Sequence, residues 1–297
     1  MHFRERVTKE FSSKELRFFE ERVWSSSVQR EDISRIRVFL KTHGFLHIDV
    51  ERMLPGDNST FRVRWNRHYQ KDGQCVVRNY DSPIYANSIH LKLTFAYGSE
   101  GERKECHDQS LVVVNALRLL FGVSIARELI FVSQFSDTNL MSIPASDVGF
   151  ASSFDTQQIN RFENPPIEEA ELIRMPEEAA LLLDKAFSQT FPQEQFVLMW
   201  LGFETIIHSR PGNGTNGDKR KKFFLEELGS SIVNEEVLRL FHVRCDAFKE
   251  GKLRELNFDQ ECWSLYAILQ LVIMKNCPQR KAFLSGLETV LTSRLPK

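Results

Sequence analysis

Residues 200 to 209, WLGFETIIHS, place a carboxylate and an imidazole, Glu204 and His208, one turn apart in a stretch that otherwise reads as the middle of a buried helix. A charge taken out of water costs several kcal/mol unless a partner meets it, so the sequence should contain that partner. On a helix opening near residue 193, Phe196, Trp200, Phe203 and Ile207 form one apolar stripe, and Val197, Leu201, Glu204 and His208 form the stripe beside it. Apolar residues cover most of the circumference, so Glu204 is expected to face another helix. A helix from residue 234 opens with Asn234 as N-cap and Glu235 and Glu236 in its first turn, and its buried stripe reads Val237, Phe241, Arg244, Phe248. A guanidinium in a line of large apolar side chains is in the same situation as Glu204, and a bidentate pair would satisfy both. The expectation is a Glu204 to Arg244 pair; the alternative is that each side chain reaches its own helix edge.

A helical arrangement with Trp-x-x-x-Glu on its second helix, here Trp200 and Glu204, and an arginine near the end of the third, here Arg244 in LFHVRCDAFKEG, resembles the HEPN domain, in particular its ApeA-like branch. The resemblance covers roughly residues 170 to 295 and leaves the first half of the chain unassigned. It implies a small helical bundle that dimerises and, in many members, a metal-independent endoribonuclease carrying an Arg, four to six residues, then a His. In that chemistry the arginine stabilises phosphate charge while the histidine moves the 2′-hydroxyl or leaving-group proton. Here Lys249 stands where the histidine is expected, followed by Glu250 and Gly251. With an ordinary pKa of about 10.4, a lysine stays protonated and binds phosphate without acting as a base. The resemblance thus points to Arg244, Lys249 and Glu204 as the catalytic positions of a degenerate ribonuclease motif. His208 and His242 are the other imidazoles of this half, and on an ideal helix His242 points about 160° away from Arg244.

Residues 210 to 224, RPGNGTNGDKRKKFF, hold glycines and lysines but do not meet G-x-x-x-x-G-K-[ST], because Asp218 follows Gly217. Their tail, Lys219, Arg220, Lys221 and Lys222, is either a basic patch over an RNA groove or a solvated first turn of a helix. These four, with His242 and Lys252, are the expected RNA or nucleotide contacts. The Arg and His of RVRWNRH (62 to 68) lie on an expected strand and carry no weight, and His43 and His47, near Asp49, lack the spacing that holds a metal. Neither a metal nor a cofactor is expected.

The positioning elements fall into two textures. FRVRWNRHY (61 to 69), SIHLKLTFAY (88 to 97) and LIFVSQF (129 to 135) read as strands, SKELRFFEERVW (13 to 24) as a helix, and DQSLVVVNALRLLFG (108 to 122) as a helix capped by Asp108 and stopped at Gly122. FENPPIEEAEL (162 to 172) reads as a linker turning into a helix. Helical periodicity then runs over about 167 to 189, 193 to 209, 217 to 229, 234 to 250, 259 to 276 and 279 to 294. The fold class expected is an α+β N-terminal domain, 1 to 160, followed by an all-α HEPN-like helical domain, 161 to 297.

The 297 residues are 42% hydrophobic, enough for two cores, and 39 Lys and Arg against 40 acids leave no global basic excess, so any RNA contact must come from a local patch. Five widely spaced cysteines without CxxC read as reduced thiols and a cytoplasmic protein. LYAILQLVIM (265 to 274) is too short to span a bilayer, and the start lacks an apolar core of signal-peptide length, so no membrane partner is expected. The partners expected are RNA or a nucleotide and a second copy of the chain, met through the helical domain. The other readings are an active endoribonuclease of toxin or phage-defence type and a dimeric interaction module.

Overall fold

The computed structural model describes residues 3–54, 62–71, 74–83, 89–140, 167–189, 191–250 and 258–294. The protein is a mixed α and β chain that divides into two compact units. One holds residues up to Ser110 and from Ser124 to Phe150; the other takes Leu111–Val123 and the remainder.

The first unit is built on a four-stranded antiparallel sheet. Its strands are β1 (Phe18–Ser25), β2 (Ile48–Met53), β5 (His90–Tyr97) and β6 (Leu129–Ser136), in the order β2-β5-β1-β6; β3 (Arg62–Lys71) and β4 (Gln74–Pro83) pair as a separate ribbon. The central strand corrects the helix expected over 13 to 24. Its register with β5 runs from Phe18 opposite Tyr97 to Ser25 opposite His90. The three charges of FFEERVW, Glu20, Glu21 and Arg22, are buried, and each has a partner. Arg22 Nε donates to Glu20 (2.7 Å) and its Nη2 meets His107, while Glu21 accepts from Arg4 (2.6 Å). With its charges satisfied, the strand can follow its aromatic and β-branched residues.

Helix α1 (Phe3–Ser12) lays Val7 and Phe11 on Phe19, Ala96 and Phe135 of the sheet, with Arg6 reaching Asp49 at 2.8 Å. Helix α2 (Arg30–Thr42) starts in a capping box between Gln29 and Asp32 and buries Ile33, Ile36, Phe39 and Leu40, the spacing of one helical face. Helix α3 spans Arg103–Phe121. It ends as expected at Gly122, whose φ of 93° only glycine adopts freely, but begins five residues before Asp108, which is therefore no cap. Among the described residues Cys106, Cys245, Cys262 and Cys277 are free thiols, and burial pushes the Cys106 thiol up to about 12.

The second unit combines residues 111–123, which include the end of α3, with α4 (Glu177–Phe187), α5 (Pro192–His208), α6 (Asn216–Lys221), α7 (Ser231–Glu250), α8 (Phe258–Ile273) and α9 (Pro278–Arg294). Helix α6 runs on through a π-helical turn, Lys222–Glu227. The run LYAILQLVIM makes α8 the most buried helix of the unit, and α5 packs against both it and α4. Gly202 sets the α4 to α5 spacing, since a Cβ there would stand 3.0 Å from Leu183 Cδ2. Several polar groups in this core find partners: Arg118 pairs with Asp184 at 2.8 Å, Gln270 donates to the Leu119 carbonyl at 2.7 Å, and Tyr266 donates to that of Arg118. No helix among the described residues is long and apolar enough to cross a membrane.

Two helix starts differ from the expected ones. Helix α4 begins at Glu177, not near 167, because Pro176 holds the preceding backbone extended. Helix α7 begins at Ser231, so Asn234 is an internal, buried residue; the cap is Ser230, whose hydroxyl accepts from Val233 N at 3.2 Å.

Candidate functional site

Helix α5 is apolar around most of its girth because it is central in its unit, and its aromatic stripe continues into neighbouring helices. Trp200 lies 5.2 Å from Phe203 and 6.2 Å from Phe241 of α7, centroid to centroid. Glu204 stands at the rim of this cluster, its side chain about four-fifths buried.

The partner of Glu204 is Arg220, not Arg244. The Arg220 guanidinium pairs with Glu204 Oε1, and the Asn216 amide donates to Oε2. Asn216 and Arg220 are four residues apart on α6, hence on one face, and the Thr215 to Asp218 capping box starts that helix directly against the end of α5. Arg220 is itself buried, over the rings of Phe241 at 5.0 Å and Trp200 at 5.8 Å. The second residue of the Lys219 to Lys222 run is therefore a core strut and no surface cation. The flanking members behave otherwise. Lys219 Nζ donates to the carbonyls of His208 (2.6 Å) and Arg210 (2.8 Å), closing the end of α5, while Lys221 and Lys222 are exposed.

Asn216 also fixes an imidazole. Its amide nitrogen must face the carboxylate, which only accepts, so its Oδ1 accepts from His208 Nδ1–H at 3.2 Å. His208 is exposed, and the hydrogen bond at Nδ1 leaves its Nε2 without a partner among the described residues.

Helix α7 is rotated relative to expectation. Its buried line is Val233, Val237, Leu240 and Val243, while Phe248 is 52% exposed. The helix carries more apolar residues than one stripe, and the core takes the aliphatic set; Leu238, Phe241, Cys245 and Phe248, spaced three, four and three, form a second seam at the rim. Arg244 flanks that seam, half-buried, with its guanidinium 5.0 Å from the centre of the Phe248 ring and Nη1 4.0 Å from Cys245 Sγ. Its Nε is buried without an acceptor, and among the described residues it forms no ion pair.

His242 is exposed, edge-on to Phe241 at 5.8 Å. Lys249 belongs to the last turn of α7, five residues beyond Arg244; its side chain, and all of Lys252, lie outside the described residues. The structure thus joins Glu204, Arg220, Asn216 and His208 into one polar chain and leaves Arg244 apart from it. Asn216 and Arg220 were legible only as members of a loop and a charge run. Their signal was the spacing of four residues beside a carboxylate needing both a donor and a cation.

No family model, no curated protein and no solved structure matches the chain.

Proposed function

We propose that the helical unit is an HEPN-type bundle that binds RNA or a nucleotide in the cytoplasm and has lost the proton-transfer group of the ribonuclease motif. The observation that carries this is Arg244: a half-buried guanidinium, held over an aromatic ring, that no carboxylate neutralises among the described residues. Such a group is a preformed donor to a phosphate oxygen. Lys249 adds a second cation at the end of the same helix, and the exposed His242 and Lys221 offer weaker polar contacts. Glu204 acts at one remove, holding Arg220 against Phe241 beneath α7. Titrating single-stranded RNA into the full chain should give saturable binding that Arg244→Ala weakens by about tenfold or more, as loss of a charge-assisted hydrogen bond does. Equal binding by the variant would remove Arg244 from the interface.

A second reading, a working endoribonuclease of toxin or phage-defence type, is favoured by His208, an exposed imidazole that Asn216 orients through Nδ1.

The rim seam of α7 supports a homodimer through the helical unit. Leu238 and Phe248 are 38% and 52% exposed at coiled-coil spacing, as suits an isologous contact in which the same patch meets itself. Sedimentation at micromolar concentration should show a dimer, and Phe248→Glu should shift it to monomer. A monomeric wild type would contradict this, and with it the interaction-module reading.

A further inference from the structure

A second feature of the helical unit lies at the α5 to α6 loop and the π-helical turn that follows α6. Arg210, Pro211, Lys219, Lys222, Phe223, Glu226 and Glu227 line a cavity of about 330 Å³. Its charges do not balance. Arg210 and Arg280, both largely buried, share the single carboxylate of Glu227; Arg280 holds it at 2.8 Å, and Arg210 reaches it only at 3.4 Å. Arg210 is otherwise fixed by a stack on Phe223, 3.7 Å to the ring centre, and a 2.8 Å bond from Nη2 to the Val272 carbonyl, while its buried Nε has no acceptor. Burial depresses its pKa, and the Arg280 charge beside it does the same. Lys219 is held by two carbonyls, and Lys222, which makes no hydrogen bond or ion pair among the described residues, stands at the cavity wall. Gly212, at φ 117°, lets the loop pass beside the Lys222 ammonium, which would be 3.8 Å from a Cβ there. Three cations, Arg210, Lys219 and Lys222, line the hollow; of its two carboxylates Glu227 is held by Arg280 from outside the lining, which leaves Glu226 alone against the three, an excess of two positive charges.

We propose that this cavity is a binding site for a dianionic phosphomonoester, the terminal phosphate of a nucleotide, separate from Arg244. The excess charge matches a dianion, and two of the cations are already immobilised, so little side-chain entropy remains to be lost on binding. The volume suits a phosphate and its sugar. Glu226, unpaired among the described residues, is placed to accept from a ribose hydroxyl. The choice of a nucleotide as carrier of the phosphate rests on the function proposed above.

Adenosine 5′-monophosphate titrated calorimetrically into the full chain should bind one per subunit, with inorganic phosphate competing and adenosine showing no binding. Lys222→Ala removes an exposed side chain that makes no hydrogen bond or ion pair among the described residues, so the fold is kept, and it should weaken the affinity by about tenfold; Arg210→Ala should abolish binding. RNA bearing a 5′-phosphate competing where 5′-hydroxyl RNA does not would place the phosphate on an RNA end, and competition by the mononucleotide alone would place it on a free nucleotide. No saturable binding at millimolar concentration, adenosine binding as well as its phosphate, or affinity unchanged in Lys222→Ala would each overturn the proposal. Binding of 5′-hydroxyl RNA without the monophosphate sinks this site and leaves the Arg244 reading standing; the reverse result does the opposite.

Discussion

Replacing Arg220 by alanine is expected to destabilise the helical unit by about 3 kcal/mol, read as a shift in urea-unfolding midpoint. The deletion strands Glu204, whose side chain is about four-fifths buried, with only the Asn216 amide as a neutral donor. It also removes the guanidinium lying over Trp200 and Phe241, so apolar packing is lost with the charge. The remaining exposure of Glu204 lets water offset part of the cost, which keeps the figure at the low end for a broken buried pair. Glu204→Ala should cost a similar amount, and the double replacement should cost less than the two single ones together by about 1 to 3 kcal/mol. Arg220→Lys should recover little, because a single ammonium cannot keep both the carboxylate and the two ring faces. The control is Arg244→Ala combined with Glu204→Ala. Those losses should add, since the two residues have different neighbours; a coupling energy there and additivity at Arg220 would reverse the assignment.

The second large effect concerns chemistry. Introducing an imidazole by Lys249→His should raise RNA cleavage by about 10²- to 10⁴-fold, the range that a positioned general acid or base supplies. Lysine near its ordinary pKa of about 10.4 is protonated at neutral pH and cannot take the 2′-hydroxyl proton, whereas a histidine near 6.5 exchanges one readily. The position lies on α7 five residues beyond Arg244, so both groups come from one rigid element. Cleavage is to be followed on single-stranded RNA with chelator present, and adding Arg244→Ala to the Lys249→His chain should abolish it by removing the group that stabilises phosphate charge. If the wild type already cuts RNA efficiently and Lys249→His changes nothing, the proton-transfer group is elsewhere, and His208, oriented by Asn216, becomes the residue to replace.

The helical half was legible because its elements depend on local patterning: strong 3.6-residue periodicity placed α5, α8 and α9 within a residue or a few of their bounds. Strands β5 and β6 were legible from clustered β-branched and aromatic residues, and the end of α3 from Gly122. What failed depended on tertiary partners. Strand β1, expected as a helix, buries Glu20, Glu21 and Arg22 against Gln134, Arg4 and His107, partners distant in sequence. Helices α1 and α2 and strands β2 and β4 were not singled out, being short amphipathic or mixed segments. The question posed by Glu204 was sound, and a buried guanidinium does answer it. The answer came from Arg220 because a run of four cations cannot say which member turns inward, and because α7 had two apolar stripes from which to choose.

The central claim is that Arg244 of this helical unit holds RNA without cutting it. One measurement bears on it most directly: end-labelled single-stranded RNA incubated with excess wild-type chain, with bound fraction and strand length read from the same sample. The account predicts RNA that is bound, full-length after hours, and released by Arg244→Ala. RNA left unbound, or bound and cleaved within minutes by the wild type, would contradict it.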